Sequence, residues 1–110
     1  MKGHLHLIEK LDHVFKLQDG AGNWASGYWL LDANERASIR RLYLHKAKAK
    51  PSFWGGEVLN VQPASDFAEL ARKHETDPEG RWVLIVRAMP DCKGAEWEGQ
   101  NHAMAYKSFV

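Results

Sequence analysis

The segment at residues 41–56 carries the side chains whose types and order point most directly to chemistry. It reads Arg-Leu-Tyr-Leu-His-Lys-Ala-Lys-Ala-Lys-Pro-Ser-Phe-Trp-Gly-Gly. Lysine and arginine neutralise phosphates, and an aromatic ring can stack on a nucleotide base. Paired glycines let the backbone come close to a ligand. The segment therefore indicates a surface for nucleic acid. Its candidate contact residues are Arg41, His45, Lys46, Lys48, Lys50, Ser52 and Trp54.

A second aromatic and polar group near the end of the chain is expected to approach the same cleft. It contains Trp97, His102, Tyr106 and Lys107. The chain has five tryptophans, which is many for 110 residues, and large rings usually fill a protein core. We expect Trp82 to lie in the core. A core role and a stacking role both remain open for Trp54 and Trp97, because each lies beside glycine and charged residues.

Charge is unevenly distributed along the chain, although the net charge is only +1. Residues 36–56 contain six basic residues and no acidic residue, whereas residues 75–98 contain six acidic residues. A basic stripe of this kind can bind phosphates. Charge runs are also common on solvated surfaces, so an ordinary solvated face is the alternative interpretation.

A catalytic alternative rests on Ser52, which follows Lys50 by two residues. A small hydrolase or nuclease would use His45, Ser52 and His102 in the same cleft. The chain contains no Gly-x-Ser-x-Gly motif and no phosphate-binding glycine loop. We therefore expect a binding module rather than an enzyme.

Metal and redox chemistry have little support in the sequence. The six histidines show none of the usual ligand spacings, so neither a metal site nor another cofactor is predicted. Cys92 is the only cysteine, which rules out a disulfide within the chain and favours a reducing compartment. It lies in a Pro-Asp-Cys-Lys-Gly turn, where we expect an unreactive thiol.

Membrane insertion and secretion are not indicated either. The longest apolar run, at residues 82–86, is far too short to span a bilayer. The first residues lack the apolar stretch of a secretory signal. The sequence therefore predicts a cytoplasmic protein with no membrane partner.

Hydrophobic periodicity predicts five or six strands and two short helices. Asp-Gly-Ala-Gly-Asn at residues 19–23 predicts the turn of a hairpin, and residues 4–11 fit either a strand or a helix. Two helices cannot cover both faces of such a sheet. The predicted fold is therefore a single α+β domain over residues 1–110, a small and strongly bent or closed β-barrel. The predicted strands are residues 13–18, 24–31, 41–46, 57–62, 81–89 and 103–109, and the predicted helices are residues 32–39 and 66–74.

The order of these elements resembles that of EVE-type domains of the PUA-like superfamily, which includes the ASCH domains. The resemblance covers about residues 26–90. Such domains are small β-barrels that bind nucleic acid, in several members by holding a modified base in an aromatic pocket. The resemblance implies that Trp29, His45, Lys46 and Trp54 lie at the pocket mouth. It rests on Tyr-Trp-Leu-Leu at 28–31, Arg-Leu-Tyr-Leu-His-Lys at 41–46, Gly-Gly-Glu-Val at 55–58 and Arg-Trp-Val-Leu-Ile-Val-Arg at 81–87.

The sequence thus predicts a module that binds RNA or modified DNA and recognises a modified or flipped base. A protein-interaction module that uses exposed aromatic residues is a further alternative. A concave, positively charged cleft would favour nucleic acid, whereas a flat surface would favour the interaction module. In the nucleic-acid interpretation, Arg41, Lys46, Lys48 and Lys50 hold phosphates, Trp29 and Trp54 provide stacking surface, and Ser52 or His45 donates a hydrogen bond.

Overall fold

The computed structural model describes residues 3–9, 13–17, 20–99 and 107–110. Within these ranges the chain forms seven strands, two α-helices and two short 3₁₀ turns. The strands are β1 (His4–Ile8), β2 (Val14–Lys16), β3 (Trp24–Trp29), β4 (Arg41–His45), β5 (Trp54–Pro63), β6 (Trp82–Ala88) and β7 (Lys107–Phe109). The helices are α1 (Ala33–Ser38) and α2 (Ala68–Lys73), and the 3₁₀ turns are Ala64–Phe67 and Pro90–Cys92.

All seven strands belong to one mixed sheet in the order β2-β3-β6-β5-β4-β1-β7. β1 and β4 run parallel, and the other neighbouring strands run antiparallel. The α+β class and the β2–β3 hairpin are therefore confirmed. The strand predicted at residues 81–89 is present as β6, which lies inside the sheet between β3 and β5.

The sheet is not closed, so the predicted closed barrel is wrong. In the part of the chain that the structure describes, β2 and β7 form opposite edges and no ladder joins them. The prediction assumed that two helices would leave one sheet face bare. Instead, the irregular segment 90–99 covers part of that face: the amide of Gly94 donates to the carbonyl oxygen of Ser52 at 2.7 Å, and Cys92 is fully buried.

The large apolar core lies on one face of this sheet. Val14 from one edge strand and Phe109 from the other both pack against it. The buried members of this core come from β1, β3, β4 and β6 and from the residues just after β3, so the core extends across most of the sheet. The buried members of this core are Leu5, Leu7, Trp29, Leu31, Leu42, Leu44, Leu84 and Val86.

α2 covers part of the opposite face, over β3 and β6. Ala71 of this helix and Ala64 of the preceding 3₁₀ turn pack against Ala25, Val83 and Ile85. His74, directly after the helix, forms a 2.6 Å hydrogen bond with the hydroxyl of Tyr28. The helix predicted at 66–74 is thus present in shortened form, because its first turn is 3₁₀.

α1 begins where the sequence predicts. The side chain of Asp32 accepts a hydrogen bond from the amide of Glu35 at 2.8 Å, and the side chain of Glu35 accepts one from the amide of Asp32 at 2.9 Å. This reciprocal capping box satisfies two amides that a helix start otherwise leaves unpaired. Neither α1 nor α2 exceeds six residues, and the described ranges contain no helix long and apolar enough to cross a membrane.

β5 starts three residues earlier than predicted, because the two glycines belong to the strand. Gly55 pairs with Tyr43, and Gly56 pairs with Leu42. A Cβ atom on Gly55 would lie 2.8 Å from that of Cys92, and one on Gly56 would overlap backbone of β6. The glycines therefore admit neighbouring parts of the chain rather than a ligand.

Candidate nucleic-acid interface

A groove runs between the lysine loop, residues 46–52, and segment 90–99. Its volume is about 360 Å³. Lys48 and Lys50 supply positive charge on one side, and Trp97 supplies a half-buried aromatic ring on the other. Glu96 adds one carboxylate, so the acid-rich part of the sequence meets the basic part here. The groove is lined by Lys48, Ala49, Lys50, Pro51, Gly94, Glu96 and Trp97.

Side-chain alternation along β4 determines which side chains form the base of this groove. Leu42 and Leu44 enter the large apolar core, so Tyr43 and His45 face the other side of the sheet. The parallel register with β1 places His6 beside Tyr43, and their rings stack at 4.6 Å with an interplanar angle of 9°. His6, Tyr43 and His45 thus form a buried polar layer beneath segment 90–99.

The hydrogen bonds of this polar layer determine where its protons lie. A carbonyl oxygen only accepts, so Nδ1–H of His45 donates to the carbonyl oxygen of Lys50 at 3.0 Å. In neutral His45 the other nitrogen, Nε2, is then an acceptor, and Nδ1–H of His6 donates to it at 2.8 Å. Burial lowers the pKa of His45, although its bond to Lys50 opposes this shift. His45 is therefore a neutral anchor for the lysine loop.

Trp97 rests on the same polar layer from the other side of the groove. Its ring meets His45 edge-on at 5.3 Å between centroids, and it meets His6 edge-on at 5.9 Å. Both walls of the groove are thus positioned by the two histidines.

Ser52 joins the lysine loop to segment 90–99. Its hydroxyl donates to the carbonyl oxygen of Cys92 at 2.6 Å and accepts from the amide of Ala95 at 2.9 Å. Its own amide donates to the carbonyl oxygen of Ala95 at 2.7 Å. The hydroxyl proton of this buried serine is therefore committed within the chain, and the observed role of Ser52 is to hold the two walls together.

Two predicted stacking residues lie on the face of the sheet opposite the groove. Trp54 is paired with Leu44, packs against the large apolar core and meets Trp24 edge-on at 6.1 Å. Trp29 is buried in that core, where its Nε1–H donates to the hydroxyl of Ser26 at 3.0 Å. The structure does not bring either ring to the groove.

The other predicted contact residues are also separated. Arg41 lies at the opposite end of β4 from His45, about 13 Å away along the strand, and its guanidinium is 3.3 Å from the carboxylate of Asp91. The ammonium of Lys46 lies 4.5 Å above the ring of Phe53. His102 lies outside the described residues. The structure therefore groups Lys48, Lys50 and Trp97, supported by His45 and Ser52.

His6 is the residue that sequence reasoning missed. The alternation of His4 and His6 indicates a strand, but pairing with a strand about forty residues away follows only from the sheet topology. Cys92 in segment 90–99 is also buried, and this burial raises the pKa of its thiol and thus disfavours the reactive thiolate. Among the described residues, no group of three or more potential ligands is arranged to hold a metal ion.

Comparison with family models, with curated proteins and with solved structures returned no match.

Proposed function

We propose that this protein binds single-stranded nucleic acid, RNA or modified DNA, in the groove between the lysine loop and segment 90–99. The observation that carries the proposal is the presence of Lys48, Lys50 and Trp97 in one concave site. Ammonium groups attract the phosphate backbone, and an aromatic wall can stack on an unpaired base. The resemblance to EVE-type domains of the PUA-like superfamily supports the same class of ligand.

The size and composition of the groove favour one nucleotide at a time. A volume of about 360 Å³ lies within the range of pockets for small ligands. Glu96 gives the groove a hydrogen-bond acceptor, which suits the amino group on the edge of a base. The proposal therefore places the phosphate near the two lysines and the base between Trp97 and Glu96.

A preformed site favours binding because less conformational entropy is lost. The carbonyl of Lys50 accepts a hydrogen bond from His45, and the hydroxyl of Ser52 links both walls through two hydrogen bonds. The lysine loop thus meets the ligand with its backbone already fixed.

The catalytic alternative gains no support from these contacts. Both ring nitrogens of His45 are engaged inside the protein, and the hydroxyl of Ser52 donates to a backbone carbonyl. A nucleophile or general base must instead reach the substrate. The concave shape of the groove also favours a nucleotide over a flat protein-interaction surface.

The salt dependence of binding tests this proposal. Fluorescence polarisation would follow labelled single-stranded RNA and DNA octamers, with and without modified bases, between 50 and 300 mM salt. For single strands, the log–log slope changes by about 0.7 for each phosphate contact. The double variant Lys48→Ala/Lys50→Ala should therefore bind more weakly and show a slope smaller by roughly 1.4.

The matched control is Lys16→Ala/Lys73→Ala, which removes two exposed lysines from β2 and α2. It should keep the affinity and slope of the native protein. Equal slopes for the native protein and the Lys48/Lys50 variant would refute the proposed phosphate contacts.

A further inference from the structure

A second groove lies between α1 and β5, away from the lysine loop. Its volume is about 440 Å³. Ala33 and Ala37 of α1 leave space on the helix side, because their side chains are single methyl groups. The groove is lined by Ala33, Arg36, Ala37, Ile39, Val58, Leu59, Asn60, Val61 and Trp82.

The strand side of this groove exposes apolar surface. The β5–β6 register shifts between Val58 and Asn60, which leaves Leu59 without a partner in that ladder. Leu59 is 46% exposed, and in the described part of the chain only Leu30 is an equally exposed large apolar residue. Exposed apolar surface beside a concavity is typical of a ligand site.

Arg36 supplies the positive charge of this groove. Its guanidinium lies 4.1 Å above the centre of the Trp82 ring and donates to the carbonyl oxygen of Leu31 at 2.6 Å. These contacts hold it at the groove, yet no carboxylate in the described ranges forms an ion pair with it. Arginine matches a carboxylate well, because its N–H groups form a planar fork.

Asn60 adds a second donor to the same groove. A backbone amide only donates, so the 2.9 Å bond from the amide of Val61 identifies the acceptor as Oδ1 of Asn60. The NH₂ group of Asn60 is therefore on the other side of its amide and remains a donor. Apolar walls combined with Arg36 and Asn60 favour a ligand that has an apolar body and an anionic acceptor group.

We propose that the α1–β5 groove binds a small organic carboxylate with an apolar body, such as an aryl or medium-chain acid. The carboxylate pairs with Arg36 and Asn60, and the apolar body covers Val58, Val61 and Leu59. This site is separate from the nucleic-acid groove and does not depend on that proposal.

Titration followed by ¹H–¹⁵N NMR tests this site with 2-naphthoate and its neutral counterpart 2-naphthamide at pH 7. Naphthoate should shift the signals of Arg36, Ala37, Val61 and the Trp82 indole, and it should bind at least about tenfold more tightly than naphthamide. Arg36→Gln should reduce naphthoate affinity by about tenfold or more and leave naphthamide binding nearly unchanged. Arg72→Gln, on the exposed side of α2, is the matched control and should change neither affinity.

Asn60→Asp provides a second test that keeps the Arg36–Trp82 contact. The added negative charge should weaken naphthoate binding without weakening naphthamide binding, so the proposal remains testable even if Arg36→Gln does not fold. Equal affinity of naphthoate and naphthamide would overturn the proposal. Shifts centred on Trp97, in the other groove, would overturn it as well.

Discussion

The two faces of β4 have different roles. Leu42 and Leu44 are fully buried in the large apolar core. Tyr43 and His45, which alternate with them, form a polar layer with His6, and hydrogen bonds connect this layer to the lysine loop. Apolar packing has no preferred direction, whereas a hydrogen bond fixes the position of its partner. The leucine side therefore stabilises the sheet, and the histidine side positions the candidate site.

Removing one leucine from β4 should have the largest effect on stability. Leu44→Ala should lower the free energy of unfolding by about 2–5 kcal/mol, because it leaves a cavity in a packed core. Nucleic-acid affinity per folded molecule should remain unchanged, since Leu44 faces away from the groove. Urea denaturation and fluorescence polarisation would measure the two quantities. A large loss of affinity in fully folded protein would show that the two sides are not separate.

Changing His45 should affect both stability and binding. His45→Ala leaves the carbonyl of Lys50 and Nδ1–H of His6 without their partner, which costs about 1–3 kcal/mol for the buried Nδ1–H and less for the part-buried carbonyl. The lysine loop then loses its anchor, so nucleic-acid affinity should also fall. His45→Asn is the matched control, because the asparagine amide can donate from nearly the position of Nδ1. Equal affinities for the two variants would argue against the anchoring role.

The pH dependence of stability tests whether His45 is buried in its neutral form. Burial lowers the pKa of His45 in the folded protein, whereas the unfolded chain takes up this proton near pH 6.5. Between the lowered pKa and about 6.5 the unfolded state binds more protons, so stability should fall as the pH drops through this window. Urea denaturation between pH 8 and 5 should show a smaller fall for His45→Asn than for the native protein. Parallel curves would contradict a buried neutral His45.

Local patterns were sufficient for much of the fold. Alternation predicts β4 and β6, and the helix predicted at residues 32–39 contains α1, because these signals depend on neighbouring residues. Closure of the sheet was predicted wrongly, since no local pattern shows that an irregular segment covers its face. The register between distant strands is likewise not predictable from either segment alone, because it depends on how the two strands pair.

The candidate site is also only partly predictable from local sequence patterns. The lysines at residues 46–50 predict the basic side of the site directly from the sequence. The sequence also predicts that Trp97 approaches the same cleft. The strand predicted at residues 57–62 begins three residues after Trp54, so the sequence leaves Trp54 outside it. Its inclusion in β5 pairs it with Leu44 and turns it toward the core. The contribution of His6 depends on a parallel pairing that the sequence does not reveal.

Trp97 and Trp54 lie on opposite faces of the sheet, so substitutions at these two residues test directly whether nucleic acid binds in the groove. Trp97→Leu keeps an apolar side chain on the polar layer but removes the stacking surface, so nucleic-acid binding should weaken by about 1–3 kcal/mol. Trp54→Ala should instead lower stability by about 3 kcal/mol, given its half-buried position, and leave the affinity of folded protein unchanged. Fluorescence polarisation with one labelled octamer, on protein shown to be folded by circular dichroism, measures both variants. Weak binding by Trp97→Leu and native binding by Trp54→Ala are expected, whereas the reverse pattern would show that nucleic acid does not bind in the groove.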